Sequence, residues 1–232
     1  MLVALNEIAA VQSKPTIKTI GKCNRLMDYA ATYPNAKLRY FATDMVLHVD
    51  SDAAYLVQDN ARSRIAGYYI LSSYPHPPPI VPTPAPNAPI LVECKTLRSV
   101  VASAAEAETG GLFHNGQTIL HIRRLLQALG HPQPPTPLKT DNSTANAFVN
   151  KSLRQKKSKS WDMKYHWLRD KHQQKHLRVF WDRGSKNGAD YFTKHHPSPY
   201  HKLIRAKYVL ALHHIFLPKN TRKRDTARAR VC

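Results

Sequence analysis

The chain has 232 residues, 42% of them hydrophobic, with 35 Lys plus Arg against 15 Asp plus Glu and a formal charge of +20. That suffices for one core of about 150 residues plus extensions, and no apolar run approaches the roughly 18 residues of a membrane span. The charge points to a polyanionic partner, nucleic acid rather than membrane, because no amphipathic Lys/Trp/Leu-rich helix stands out. Cys23, Cys94 and Cys232 are far apart and odd in number, and no CxxC occurs. This argues against a disulfide scaffold or a thiolate zinc site and fits a reducing compartment. The opening MLVALNEIAAVQSKP has no basic n-region and carries Glu7, so a signal peptide is not expected.

Residues 1 to about 40 read as helical, with Ile17, Ile20 and Met27 on a rough stripe that Pro34 and Asn35 end. From Met45 the pattern alternates: Met45, Leu47 and Val49 share one face of a first strand. A second strand reads through 65–71. Eight of the 17 prolines then fall between Pro75 and Pro89. Such a segment forms neither a helix nor an inner strand and reads as a polyproline II loop. A third strand covers 90–94. A long helix follows over about 103–129, where Ile119, Ile122, Leu126 and Leu129 make one apolar face. Gly130 and Pro132 stop it. Gly110, Gly111 and Gly116 weaken its first half by about 1 kcal/mol each relative to Ala, which the sequence alone does not explain.

A short strand over 138–140 leads to Asp141, and Ser143 or Thr144 can cap the next helix. A basic helix covers about 161–176, a fifth strand 177–181, and a last helix starts near Ala189. The order is β-β-β-α-β-α-α-β-α, a mixed α/β domain. Residues 219–230 are basic and poor in apolar groups, and read as a disordered tail.

Four acids stand out because small or polar residues surround most of them: Asp52 in HVDSDAAY, Glu108 in SAAEAETGG, Asp141 in KTDNSTA and Asp190 in NGADYFTK. Asp52 is placed after strand one and Asp141 at the end of strand four, where open α/β sheets present reactive groups. Leu112, one turn beyond Glu108, faces the core, so Glu108 points toward the sheet. Asp190 opens the final helix. Each has an ordinary explanation as a helix-start or turn residue. Asp50 and Glu106 compete with Asp52 and Glu108; alternation puts Asp50 opposite Val49 and does not settle the choice. Four converging carboxylates would repel at pH 7, and two divalent ions would balance them.

At this point SDAAYLVQDNARSRIAGYY, SAAEAETGGLF, TDNSTA, WDMKYHWLRDK and NGADYFTKHH, in that order, resemble the ribonuclease H domain of copia-type LTR retrotransposon polyproteins. The resemblance covers about residues 14–208. It implies an α/β, ribonuclease H-like fold: a five-stranded mixed sheet with helices on both faces. It divides the chain into a helical extension over 1–40 resembling the end of a reverse transcriptase, a ribonuclease H-like domain over 41–208, and a basic tail over 209–232. It picks Asp52, Glu108, Asp141 and Asp190 as catalytic and metal-holding residues. It implies two Mg²⁺ ions, with Mn²⁺ as the alternative, and cleavage of the RNA strand of an RNA–DNA hybrid during reverse transcription. The implied partners are the hybrid or another nucleic acid and the reverse transcriptase region of the same polyprotein, with no membrane. The implied location is the cytoplasm, within a virus-like particle, or the nucleus.

The stretch 151–178 holds ten Lys or Arg. Lys151, Arg154, Lys156, Lys157, Lys159 and Lys164, with Lys186 further on, are the candidate nucleic-acid contacts, since basic groups track phosphates. Trp161, Tyr165 and Leu168 have helical spacing and read as core. His172 and His176 are spaced i, i+4, and His195, His196 and His201 cluster later, but no third zinc-ligand motif accompanies them. An integrase or transposase of the same fold would need a late Glu, and none follows Glu108. The standing alternative is a non-catalytic, degenerate or domesticated nucleic-acid-binding domain, raised by the glycines of the long helix.

Overall fold

The computed structural model describes residues 1–73, 87–150 and 159–209, the last of these with side chains from 163 onward. Most of the proline-rich segment, Lys151, Arg154, Lys156, Lys157 and the basic tail from residue 210 therefore lie outside the described residues. So do the side chains of Lys159 and Trp161.

Two helices, α1 (Leu2–Ala10) and α2 (Ile17–Thr32), precede the sheet. Thr16 caps α2, its hydroxyl taking the Thr19 N–H while the Thr19 side chain takes the Thr16 N–H. The expected stripe of α2 is not buried: Ile17, Ile20 and Met27 are 88%, 58% and 67% exposed. Three strands follow, β1 (Val46–Gln58), β2 (Arg62–Ser72) and β3 (Pro89–Leu97), paired antiparallel. The long helix α3 (Ala104–Ala128) starts at Ser103, whose hydroxyl accepts from the Glu106 N–H. It ends before Gly130, which takes the left-handed conformation at φ 88°. Then come β4 (Thr136–Thr140), α4 (Ser143–Val149), α5 (Lys159–Gln173), β5 (Leu177–Trp181) and α6 (Ser198–Tyr208).

The sheet order is β3-β2-β1-β4-β5, with β4 parallel to β1 and β5 parallel to β4. Two expectations are corrected here. β1 runs on to Gln58, so Asp52 lies inside the strand rather than after it. Pairing with β2 continues past the point where alternating apolar residues stop, Asp52 lying opposite Ala66. Asp190 opens a single 3₁₀ turn, Asp190–Phe192, and the last helix begins only at Ser198, after Pro197. Proline at that point removes the N–H that would continue a helix from 190.

Helices cover both faces. On one, Leu112, Ile119 and Leu126 of α3 pack with Leu168 of α5 against Leu47, Val49, Tyr69, Leu138 and Val179. On the other, Phe192 and Ala189 pack on Ala66, with Leu2 of α1 and Tyr208 of α6 beside them. Tyr165 and Leu168 are core residues, as their spacing suggests.

The helix glycines now have a physical explanation. A Cβ at Gly116 would sit 3.0 Å from the Trp167 ring and 3.5 Å from Leu168 and Leu177; one at Gly111 would sit 3.3 Å from Ser51 Oγ. They let α3 lie close on β1 and α5. Asn115, between them, fastens the contact: its Nδ2 donates to Ser51 Oγ and the Ala66 carbonyl, both at 2.9 Å, and its Oδ1 accepts from Tyr69 at 2.8 Å. Gly67 in β2 makes room for it, since a Cβ there would lie 2.4 Å from Asn115 Oδ1. Gly67→Ala and Gly116→Val are each expected to destabilise the fold by about 1–3 kcal/mol through overpacking, read as a lower urea midpoint.

Candidate metal centre

β4 ends at Thr140 whereas β1 continues, and the parallel register pairs Asp50 with Lys139. Carried two residues on, that register sets Asp141 beside Asp52. The β1 backbone here lacks a strand partner on the β4 side, so the Ala53 N–H needs another acceptor. Glu108 supplies it: Oε1 accepts from Ala53 N at 3.0 Å, and Oε2 accepts from the Thr140 hydroxyl at 3.3 Å. Glu108 reaches this point from the second turn of α3, on the same helical face as buried Leu112.

Asp52, Glu108 and Asp141 each offer a carboxylate oxygen, and the three oxygens lie within 4.8 Å of one another. Asp52 and Glu108 are buried and Asp141 is half-buried. Asp190 is not in that set; its Oδ1 lies 2.8 Å from Lys194 Nζ. The structure thus brings three of the four expected acids together and holds the fourth nearby on a lysine.

Burial and mutual repulsion shape the protonation of the group. Burial chiefly, then the charges of Asp141 and Asp190, push Asp52 up to about 6, against a hydrogen bond from Thr193. Burial, then Asp52 and Asp141, raise Glu108 well above the ordinary carboxylate range. Asp141 is raised by burial and by Asp190, with Lys194 opposing. The Lys194 ammonium, which burial alone would weaken, is held charged by Asp190, Asp52 and Asp141. Three clustered oxygens of hard, anionic type suit a divalent cation, which would relieve that repulsion.

The competing acids have other duties. Asp50 pairs with Lys139 at 2.9 Å and accepts from the Gly188 N–H at 2.7 Å. It pins the loop after β5, and Gly188 is required there because a Cβ would lie 2.9 Å from Asp50 Oδ2. Glu106 accepts from the Ala102 N–H and so ties down the start of α3. Gly184 lies against Asp141, where a Cβ would come within 2.8 Å of Oδ2, and Trp181 Nε1 donates to the Asp141 carbonyl. Sequence reasoning gives Thr193 and Lys194 no role, although both stand in NGADYFTK. The Thr193 hydroxyl donates to Asp52 Oδ2. Of the two described basic candidates, Lys186 is exposed on the loop after β5, and its carbonyl accepts from Lys139. Lys164 is half-buried and donates to Ser99 Oγ.

This strand order, with helices on both faces, is the five-stranded mixed sheet that the sequence motifs imply, and Asp141 directly follows the C-terminal end of β4. In fold the chain is similar to solved ribonuclease H domains. The chain is similar to the solved LC11-RNase H1 bound to an RNA/DNA hybrid (10% identity, TM-score 0.46, 63% of this chain and 92% of that one). It is similar to the N-terminal ribonuclease H domain of a Mycobacterium tuberculosis protein (10%, TM-score 0.43, 64% and 91%). A third likeness is to the prototype foamy virus protease–reverse transcriptase (11%, TM-score 0.32, 65% and 19%). In sequence it is 27% identical over 121 residues to the retrovirus-related Pol polyprotein of transposon TNT 1-94 from Nicotiana tabacum. That match covers 52% of the chain and 9% of the polyprotein's length. No protein-family model matches the chain. Among the described residues, no helix is long and apolar enough to cross a membrane.

Without divalent cations the ionised cluster opposes folding. Asp52 is raised in the folded state, so its contribution is unfavourable above its folded value and vanishes below the unfolded 3.8. Asp52→Asn is therefore expected to stabilise the chain in EDTA at pH 8 by about 1–3 kcal/mol, and the gain should disappear as pH falls below about 4. Thermal melts across that range check it.

Proposed function

We propose that the domain is a metal-dependent endonuclease that cuts the RNA strand of RNA–DNA hybrids. The observation that carries this reading is the convergence of Asp52, Glu108 and Asp141 oxygens within 4.8 Å, in a chain of net charge +20. Asp52, Glu108 and Asp141 would hold divalent cations, Mg²⁺ in preference and Mn²⁺ as the alternative, with Asp190 joining when released from Lys194. Such ions, when bound, activate water and stabilise the leaving oxygen in phosphodiester hydrolysis.

The chain's own residues set the stage for that chemistry. Glu108, fixed by Ala53 N–H and Thr140, is a rigid wall of the site. Thr193 orients Asp52 by its hydroxyl. Lys194 neutralises part of the cluster and stands beside Asp190, where a substrate phosphate would approach. Lys186, exposed on the loop after β5, and Lys164 on α5 are the described groups we assign to the nucleic-acid backbone. Lys151, Arg154, Lys156, Lys157 and Lys159 extend that assignment. Asn187, next to Lys186, is buried instead, donating to the Ser51 carbonyl at 2.9 Å and accepting from the Ala189 N–H.

We place the domain within a longer polyprotein beside a reverse transcriptase. The alternative of a decayed, non-catalytic binder loses one of its motives, since the α3 glycines serve close packing rather than mark a softened helix. The two readings separate in one assay. Labelled RNA–DNA hybrid should be cut with Mg²⁺ or Mn²⁺ and remain intact with EDTA. Asp141→Asn should lower that cleavage at least about a hundredfold while leaving salt-sensitive hybrid binding in place. Binding without cleavage in the parent chain, indifferent to EDTA, would establish the binder instead.

A further inference from the structure

Among the described residues, Arg64 of β2 is the largest fully buried side chain, 1% exposed. A guanidinium so placed needs acceptors and a counter-ion. Its Nη1 donates to the Thr193 carbonyl and its Nη2 to Glu7 Oε1, both at 3.1 Å. Glu7 belongs to α1, well outside the sheet and its loops. The same carboxylate takes Lys22 of α2 at 3.1 Å and the ring of His195. One carboxylate thus ties α1, α2, β2 and the segment after the 3₁₀ turn.

Thr193 is where this matters. Arg64 holds its carbonyl, and its hydroxyl donates to Asp52 Oδ2. Lys194, the next residue, pairs with Asp190. His195 returns to Glu7. Three successive residues therefore alternate between the acidic site and the charges gathered around Glu7.

We propose that Glu7 is a positioning residue of the metal centre, acting through Arg64 and Thr193 on Asp52. The inference rests on the reading of the acids as a cation site. Removing Glu7 leaves the buried Arg64 charge without its anion. The Thr193 peptide is then free to shift, and Asp52 loses its oriented donor. Partners of this kind, one shell behind the ligands, commonly set metal affinity by about 10–100-fold.

The test uses the full chain with Glu7→Ala, Glu7→Gln and, as a control, Lys22→Ala, which leaves the Glu7–Arg64 pair in place. Hydrogen exchange over 190–195 without cation, Mn²⁺ affinity by calorimetry, and kcat and KM for hybrid cleavage are measured. Glu7→Ala is expected to weaken Mn²⁺ binding about tenfold or more, lower kcat with little change in KM, and speed exchange over 190–195 beyond the rest of the chain. Glu7→Gln keeps an acceptor for Arg64 and should fall between Ala and the parent; Lys22→Ala should match the parent. Mn²⁺ affinity within about twofold of the parent, with unchanged exchange over 190–195, overturns the proposal. If Glu7→Ala does not fold, Glu7→Gln is judged by the same measures. If the parent binds no Mn²⁺, the cation reading fails, and exchange over 190–195 alone then decides whether Glu7 holds the turn.

Discussion

β4 stops at Thr140 while β1 runs on beside it to Gln58, and the arrangement of the site follows from that mismatch. Where the fourth strand ends, the β1 backbone presents an N–H without a strand to take it. A buried N–H without an acceptor costs on the order of 1–3 kcal/mol, so something must come. Glu108 comes from the opposite layer, and its arrival places a second carboxylate beside Asp52. Asp141, the first residue after β4, is the third. The cluster is thus a consequence of sheet architecture as much as of chemistry.

The cost of the cluster is electrostatic, and the surroundings are built to limit it. Thr140 and Thr193 donate hydroxyl hydrogens to Glu108 and Asp52. Lys194 brings a cation to the side that Asp190 occupies. Asp50, two residues before Asp52 on the same face of β1, is handled differently. It has its own lysine, Lys139, and a backbone donor from Gly188, and so acts as a fastener for the loop. Two aspartates on one strand face therefore serve different ends, because one has a dedicated counter-ion and the other faces further carboxylates.

Close backbone approach is the second recurring device. Gly111 and Gly116 bring α3 onto β1 and α5, and Gly67 admits Asn115 between the sheet and the helix. Gly184 lies on Asp141 and Gly188 on Asp50. In each case the missing Cβ leaves space for a polar atom or ring that positions the site or its supports. Helix propensity is given up locally for a contact that only the folded chain contains.

Element types and their order were legible in the sequence, because they rest on local periodicity and turn chemistry. The fifth strand, 177–181, the Ser103 start of α3 and the burial of Glu108 beside Leu112 all follow from spacing along one segment. The local pattern misleads where a neighbour overrides it. Pairing with β2 carries β1 past its apolar alternation, and Pro197 delays the last helix. The Ile17, Ile20 and Met27 stripe has helical spacing but no covering partner among the described residues. The four acids, too, were visible as a set, but not which of them meet. That depends on the parallel register of β1 with β4 and on α3 crossing the sheet. Nor could spacing relate Glu7 to Thr193, since a buried arginine on a third element makes the link. What the sequence by itself determined is the alphabet of elements, the basic charge and the four candidate acids. Tertiary structure alone decided that Asp52, Glu108 and Asp141 converge while Asp190 rests on Lys194, because convergence is set by contacts between residues far apart in the chain.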